Sequence, residues 1–178
     1  MLVAYEIGAA CPRCLCVQPS PVSWCRAASQ LVRPDEVGHL LTARPRRLGR
    51  PVPLGENIAA WFRGKLLAGE LAYVPDPESC DRWCGPATTL ELGTGDCDDL
   101  AILAASLIQA AGGSCVLIIG RLCTSEGCDG HAWVEGFDSK GHFLLEATSG
   151  ALYRGRPAAY QPLVVSDGVR CVAHRLAA

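Results

Sequence analysis

The sequence predicts an α+β fold in which helices come first and an antiparallel sheet follows. Two helical patterns lie between residues 56 and 111, apolar runs typical of strands follow residue 114, and turn signals separate those runs. Helices and strands that are segregated along the chain are typical of this class. With 178 residues, of which 49% are hydrophobic and 19% charged, the chain is long enough to bury a core.

The N-terminal part of the chain shows little regular pattern, and the first fifty residues are predicted to be irregular. We predict residues 1–54 to be a cysteine-containing extension, either part of the same domain or loosely packed, and residues 55–178 to be the core. Residues 44–51 are rich in arginine and proline. No aromatic residues are interleaved among them, so we interpret this run as an exposed connector and not as a nucleic-acid patch.

Two helices are predicted in the first half of the core. Apolar residues recur at helical spacing over residues 56–68, and prolines at positions 75 to 86 then indicate a long loop. The second helix is predicted over residues 97–111 and ends at Gly112 and Gly113, a normal helix stop. Because apolar side chains lie almost all round this helix, we expect it to be buried at the centre of the fold.

The second half of the core is predicted to be a sheet. Residues 115–119 form a short apolar run rich in β-branched side chains. Residues 131–137 and 142–148 flank a turn at 138–141, which predicts a hairpin. One further strand is predicted within residues 163–172.

Cys97 opens the predicted central helix and is the candidate nucleophile. Amide donors and the helix dipole at that end favour an anion, so they would stabilise a thiolate or hold an oxyanion. The neighbours Asp96, Asp98 and Asp99 act in the opposite direction, because nearby negative charge raises the pKa of a thiol. Asp96 also suits the cap position of the helix. A cationic histidine would offset these charges.

His131 and Glu146 are the candidate partners of this cysteine. If the hairpin turn centres on residues 139 and 140, paired residues have numbers that sum to about 279, so Glu146 lies diagonally across from His131. A carboxylate there can accept a ring proton and fix the histidine tautomer, as in a catalytic triad. Each residue alone has an ordinary structural explanation, and only the combination favours catalysis.

These segments resemble the transglutaminase-like superfamily, which includes tissue transglutaminases, peptide N-glycanases and bacterial transglutaminase-like cysteine peptidases. The resemblance rests on Gly-Asp-Cys-Asp-Asp at residues 95–99, His-Ala-Trp-Val-Glu at 131–135 and Leu-Glu-Ala-Thr at 145–148, and it covers about residues 55 to 150. Further segments are similar to bacterial members in particular: residues 73–77, 81–83 and 86–90.

The resemblance implies a papain-like α+β fold, with the nucleophilic cysteine at the start of a central helix that packs on a sheet. Residue matching makes Cys97 the nucleophile and His131 the base, and it places Glu146 where most members have aspartate. Since members place an aromatic or polar donor upstream of the cysteine, Trp83 is a candidate for the acyl site or the oxyanion hole, with ordinary packing as the alternative. The candidate substrate-binding or oxyanion residues are Trp83, Asp96 and Trp133.

The remaining cysteines leave three interpretations open. The chain has eleven, so at least one cannot pair within it. Cys11 and Cys14 have the spacing of a zinc knuckle, and Cys16 and Cys25 could complete four thiolates, although no second two-residue pair follows. Disulfides are the second interpretation. Reduced thiols are the interpretation that we favour.

Composition points to neither a membrane nor nucleic acid. The net charge is −2, and no stretch approaches the roughly 18 apolar residues that a spanning helix needs. The N-terminus lacks the basic and apolar regions of a secretory signal. We therefore expect a cytoplasmic protein with reduced thiols and no cofactor, which binds a peptide or protein substrate and neither nucleic acid nor a membrane.

The expected function is that of a cysteine-dependent acyl enzyme, a peptidase or amidase that works through a thioester. One alternative on the same fold is transglutaminase-type transfer of a glutamine acyl group to an amine. An alternative of another class is a non-catalytic binding or assembly module stapled by zinc.

Overall fold

A long helix packs against a six-stranded sheet at the centre of the fold. The computed structural model describes residues 14–41, 46–47, 50–51, 53–77 and 80–173. Its helices are α1 (Pro21–Leu31), α2 (Pro34–Val37), α3 (Leu54–Leu67), α4 (Pro86–Leu92) and α5 (Cys97–Ala110), with a 3-10 turn at Gly38–Leu40. None of the helices in these ranges is long and apolar enough to cross a membrane.

The strands form one large sheet and three short pairs. They are β1 (Cys14–Val17), β2 (Arg46–Arg47), β3 (Arg50–Pro51), β4 (Ala72–Tyr73), β5 (Asp81–Cys84), β6 (Thr94–Gly95), β7 (Ser114–Thr124), β8 (Gly127–Asp138), β9 (Gly141–Glu146), β10 (Ala151–Tyr153), β11 (Tyr160–Ser166) and β12 (Cys171–Ala173). The large sheet has the order β10-β9-β8-β7-β11-β12 with antiparallel neighbours. The pairs are β1 with β5, β2 with β3, and β4 with β6. The predicted α+β class is confirmed.

Both predicted helices are present, as α3 and α5, with small shifts at their ends. Helix α5 begins at Cys97 and is buried from Asp98 to Ile108. Its N-cap Asp96 accepts a hydrogen bond from the backbone N–H of Asp98 at 3.1 Å, which satisfies one of the unpaired amides of the first turn. The nearly continuous apolar surface explains why this helix lies at the centre of the core.

Both faces of the large sheet carry buried apolar side chains. On the inner face, side chains such as Ile119, Val134 and Leu145 join the core around α5. On the outer face, a smaller cluster contains Ile118, Trp133, Leu144 and Tyr160. We call this the outer cluster. The predicted hairpin is confirmed, because β8 and β9 pair in the predicted register, with Val134 opposite Leu145.

The C-terminal prediction was partly wrong, because two strands occupy the region where one was predicted. Strand β11 starts earlier than predicted, and β12 follows after a tight turn. In that turn the Asp167 side chain accepts hydrogen bonds from the N–H groups of Val169 and Arg170, and Gly168 has a positive φ of 91°. An aspartate followed by a glycine is a typical turn signal.

The N-terminal region is more regular than predicted. Helix α1 has Ser20 as its cap and Pro21 at its first position, both common at helix starts. Ala28 and Val37 are fully buried in the core around α5, so the described part of residues 1–54 packs onto that core. Half of the arginine- and proline-rich run at 44–51 lies outside the described residues, and the other half forms the short antiparallel pair of β2 and β3.

Eight cysteines form four disulfides, which contradicts the expectation of reduced thiols. The pairs are Cys14–Cys84, Cys16–Cys80, Cys25–Cys171 and Cys123–Cys128. The proposed zinc set is not assembled either, because Cys14, Cys16 and Cys25 each bond to a different cysteine; Cys11 lies outside the described residues. The spacing of cysteines in a sequence cannot reveal pairs that tertiary folding brings together. Cys97 and Cys115 are the free cysteines of the described ranges.

Candidate active site

The Cys97 thiol lies at the N-terminal end of α5, against the edge of the sheet. It is partly exposed, and its sulfur accepts a hydrogen bond from the backbone N–H of Ala132, the residue after His131. Burial, followed by the charges of Asp98 and Asp96, raises the pKa of the thiol, and the Ala132 amide only partly opposes this. The acidic neighbours thus act in the direction that the sequence indicated, and burial adds the larger part of the upward shift in the pKa.

Gly95 allows the chain to enter α5 tightly. A Cβ atom at this position would lie 2.6 Å from Cβ of Asp99, so only glycine leaves room for that side chain. Asp99 uses the space to accept a hydrogen bond from the backbone N–H of Cys84 at 2.6 Å. Gly95 thus allows Asp99 to couple the start of α5 to strand β5.

His131 is held from the side of the sheet by Glu146. Its Nε2 lies 2.6 Å from Oε2 of Glu146, and both side chains are largely buried. No hydrogen bond to Nδ1 of His131 is found within the described part of the chain. The carboxylate therefore occupies one ring nitrogen and leaves the other for a reacting thiol.

Glu146 has hydrogen-bond donors at both of its oxygens. Oε1 accepts from the backbone N–H of Thr148 at 3.2 Å and from its hydroxyl at 2.8 Å. Oε2 accepts from the hydroxyl of Tyr160 at 3.1 Å, in addition to its bond with His131. Burial raises the pKa of Glu146, but the bonds from His131 and Thr148 outweigh burial and lower the pKa overall. Glu146 is thus an ionised, fixed acceptor.

The two candidate tryptophans are buried in the core. Trp83 is 1% exposed, and its indole N–H donates to Asp81 at 2.9 Å. Trp133 is fully buried, and its indole N–H donates to Glu135 at 2.8 Å. Both indole donors are thus occupied by carboxylates, and the assignment of these residues to substrate or oxyanion binding stays a prediction. Trp133 also stacks beside the His131 ring, with centroids 6.2 Å apart.

A cluster of aspartates lies beside Cys97, and sequence reasoning missed it as a cluster. One carboxylate oxygen from each of Asp76, Asp81 and Asp96 lies within 4.8 Å of the others, and Asp96 and Asp98 are similarly close to the Cys97 sulfur. We call Asp76, Asp81, Asp96 and Asp98 the aspartate cluster. Oδ1 of Asp98 is buried and has no hydrogen-bond partner among the described residues. The signal was present in the acidic loop before Cys97, but only the fold joins that loop to α5.

Among the described residues, Arg82 is the basic neighbour of the cluster. Arg82 lies 3.6 Å from Asp76, measured from Nε to Oδ1, and its backbone N–H donates to the same carboxylate. Burial raises the pKa of Asp76 to about 6, although the Arg82 amide opposes this. A single guanidinium does not balance four carboxylates, so the cluster carries excess negative potential.

Tyr73 and Val74 lie on the open side of this region. Both are about half exposed, at 50% and 47%, and Tyr73 pairs with Gly95 across the short parallel pair. Partial burial, followed by the charges of Cys97 and Asp96, raises the pKa of the Tyr73 phenol. Tyr73 thus lies beside the short strand that leads into α5.

One solved structure of LapG shares this fold, and other structures align with lower scores. Legionella pneumophila LapG treated with EGTA aligns with a TM-score of 0.54 and 17% identity, over 69% of this chain and 67% of the LapG chain. Calcium-bound LapG aligns with a TM-score of 0.49 and 19% identity, over 63% and 62% of the two chains. A candidate cysteine protease from Cytophaga hutchinsonii gives 0.48 and 17%, over 65% of this chain and 37% of its own. This chain therefore spans about two thirds of the LapG length and much less of the Cytophaga protein.

Sequence comparison gives the family directly. No curated protein matches the chain. The sequence profile of the transglutaminase-like superfamily matches residues 54–147, which is more than half of the 178 residues and contains Cys97, His131 and Glu146. The resemblance inferred from the sequence motifs is confirmed, and this chain belongs to the transglutaminase-like superfamily.

Proposed function

We propose that this chain is a cysteine peptidase or amidase with Cys97 as nucleophile. The thiol proton passes to Nδ1 of His131 as sulfur attacks an amide carbonyl. The imidazolium then gives that proton to the leaving amine, and a thioester remains on Cys97. Water attacks the thioester with His131 as base, which releases the acid and restores the thiol.

One observation carries this proposal. Glu146 occupies Nε2 of His131, while the Cys97 sulfur lies at the amide of the next residue, Ala132. The nitrogen that faces away from the carboxylate is thus available at the end of the sheet where the thiol lies. A merely structural histidine would not need a carboxylate with donors on both oxygens.

The start of α5 supplies a donor for the oxyanion. Asp96 caps the N–H of Asp98 with its side chain, and its carbonyl accepts from Leu100. The N–H of Cys97 has no acceptor within the described ranges. A carbonyl oxygen under attack by the Cys97 sulfur would lie near this amide, where a negative charge is stabilised.

Hydrolysis is favoured over transfer to an amine. Transfer requires an amine to compete with water for the thioester, and the sequence shows no second apolar channel for it. The zinc-stapled binding module receives no support from the cysteines, since three of its four ligands are in separate disulfides.

The function can be tested with alkylation and substrate libraries on one preparation. Brief iodoacetamide treatment at neutral pH should label Cys97 before the buried Cys115, as located by peptide mapping. A peptide library with and without dansyl cadaverine should show cleavage or deamidation that is lost in Cys97→Ala and kept in Cys115→Ala. Amine incorporation that depends on Cys97 would favour the transferase instead. No turnover with any peptide would favour a binding role.

We also propose that the aspartate cluster binds a divalent cation, with Ca²⁺ as the first choice. Carboxylate oxygens are the ligands that Ca²⁺ and Mg²⁺ prefer, and Asp98 has a buried oxygen without a partner. The ion would neutralise charge beside Cys97 and fix the loop that carries Asp76. The calcium in the LapG structure is a property of that protein, and the case here rests on the aspartates of this chain.

The disulfides lead us to propose an oxidising compartment in place of the cytoplasm. Disulfides persist outside the cytosol and are rare within it. Cells of the native source would be quenched in acid to stop thiol exchange, and the denatured protein would then be alkylated at neutral pH without reduction. Mass analysis should find the eight paired cysteines unlabelled. Labelling of all of them in freshly lysed cells would restore the cytoplasmic expectation.

A further inference from the structure

The outer cluster contains a buried hydroxyl that contacts the candidate triad. Tyr160 is 7% exposed, and its hydroxyl donates to Oε2 of Glu146 at 3.1 Å. The same oxygen lies 2.6 Å from Nε2 of His131. Tyr160 therefore shares an acceptor atom with the histidine, whereas Thr148 binds the other carboxylate oxygen.

An irregularity in β11 places Tyr160 on this face. The pairing of β11 with β7 shifts between Pro162 and Val164. On the near side of the shift Tyr160 joins the outer cluster, and on the far side Val164 joins the core around α5. In a regular strand these two residues would point to the same face, because side chains alternate. Bulges commonly re-aim side chains next to functional sites.

A glycine in β7 leaves room for the contact. Gly120 pairs with His131, so the two residues share a face of the sheet. A Cβ atom at Gly120 would lie 2.6 Å from Cη2 of Trp133 and would also meet the backbone of Gln161. Without that atom, Tyr160 packs edge-on against Trp133 at 5.2 Å between centroids and tilts against the His131 ring at 6.1 Å.

We propose that Tyr160 is a positioning residue of the active site, which holds Oε2 of Glu146 against Nε2 of His131. The proposal rests on the proposed function of Cys97 and His131. Tyr160 acts through Glu146 and touches no substrate. A carboxylate held only by Thr148 could turn about its Oε1 end, and the His131 ring would turn with it.

The hydroxyl is the part of Tyr160 that matters. A phenylalanine would fill the same space and keep the contacts with both rings. A buried hydroxyl without a partner is unfavourable, and this one donates to a charged acceptor, which is the stronger kind of hydrogen bond. Burial and the Glu146 charge raise the pKa of Tyr160, so the phenol remains a donor at neutral pH.

Tyr160→Phe tests the proposal, with Glu126→Gln as the control. Tyr153 is unsuitable as a control, because its side chain hydrogen-bonds with that of Tyr160. Glu126 is exposed in the turn between β7 and β8, and its backbone N–H donates to the hydroxyl of Thr124 at 3.1 Å. Loss of one hydrogen bond to a charged group should lower kcat about ten- to a hundredfold in Tyr160→Phe, with little change in KM. The control should remain near wild type in both constants.

The pH profile separates positioning from packing. Glu146 faces His131, Thr148, Tyr160 and the Cys97 thiol. Without the Tyr160 donor the ionised form of Glu146 loses stabilisation, so its pKa rises and the acid limb of kcat should move to higher pH. A purely structural defect would lower the melting temperature and scale the whole profile without moving the limb.

A second readout keeps the test independent of any substrate. The rate of Cys97 alkylation at fixed pH should fall in Tyr160→Phe and not in Glu126→Gln, even if no peptide is cleaved. Wild-type turnover with an unchanged kcat and alkylation rate in Tyr160→Phe would overturn the Tyr160 proposal alone. No turnover by the wild type, together with slowed alkylation in Tyr160→Phe, would count against the peptidase function and support the positioning role.

Discussion

The two sides of the candidate active site differ in how completely their carboxylates are hydrogen-bonded by other protein groups. On the sheet side, the Glu146 carboxylate has four hydrogen bonds from three residues and a lowered pKa. On the helix side, the aspartate cluster crowds like charges around one guanidinium and leaves an Asp98 oxygen unpaired. The sheet side is organised by protein groups alone. The helix side lacks such pairing among the described residues, which is why we propose that it binds a cation.

The largest expected effect is on the sheet side. Glu146→Gln should lower kcat by about three to four orders of magnitude, because an amide can hold His131 in the wrong tautomer. The fold should remain, since the amide keeps the size of the carboxylate and one oxygen that can still accept the two hydrogen bonds from Thr148. Steady-state kinetics and circular dichroism check both points. Glu56→Gln, on the surface beside Lys140, is the control, and equal activity of both variants would remove Glu146 from the mechanism.

Removing individual disulfides should affect the two sides of the site differently. Cys14–Cys84 links β1 to β5, the strand that carries Asp81, whereas Cys123–Cys128 closes the hairpin that leads to His131. Replacing both members of the first pair with serine should lower the free energy of unfolding by about 2–4 kcal/mol and weaken cation binding. Denaturant unfolding and calorimetric titration would measure this.

The Cys123–Cys128 disulfide closes only a short loop. Replacing both of its cysteines with serine should therefore lower the free energy of unfolding by less than the first double variant does. This second variant should keep the cation affinity, since its hairpin does not contact the aspartate cluster. If both double variants lose cation binding equally, the two sides are not separable by these disulfides.

The next largest effect is expected from Ca²⁺ on the thermal stability of the chain. At about a hundredfold excess over its dissociation constant, Ca²⁺ should stabilise the chain by about 2.7 kcal/mol, which corresponds to a rise of roughly 5–10 °C in melting temperature. Asp98→Asn should abolish most of that rise. Thermal scans with Ca²⁺ and with EGTA provide the measurement, and Asp35→Asn, on α2, is a control. A rise that persists in Asp98→Asn would place the ion elsewhere.

The smallest effect is expected from Thr148→Val. The variant removes the hydroxyl donor to Glu146 but keeps the backbone N–H bond at 3.2 Å. Loss of one neutral donor should cost about 1 kcal/mol, or about fivefold in kcat. A loss as large as that of Glu146→Gln would show that Thr148, and not the histidine contact, dominates the orientation of the carboxylate.

The parts of the site that could be predicted lie on elements with local patterns. Cys97 follows a glycine-rich turn before an apolar helix, and His131 and Glu146 lie on one hairpin whose register follows from its turn. Tyr160 could not be predicted in this way. It lies on β11, and β7 separates β11 from β8 in the sheet. It reaches Glu146 only because a register shift turns its side chain to the outer face.

The same limit explains the other differences. The aspartate cluster combines a loop, strand β5 and the start of α5, and no periodic pattern links these segments. The disulfides join cysteines as far apart as 146 positions, which sequence spacing cannot specify. Helix α1 is a different case, because Ser20 and Pro21 are a recognisable start signal that the surrounding cysteines and prolines obscured.

The Cys25–Cys171 disulfide would hold the chain together if a peptidase of this kind cleaved itself. It joins α1 to β12 and encloses almost the entire described chain in one covalent ring. A single nick within that ring cannot release a fragment, because both ends stay tethered. A nicked enzyme would therefore run as one band on a non-reducing gel and separate into two only after dithiothreitol is added.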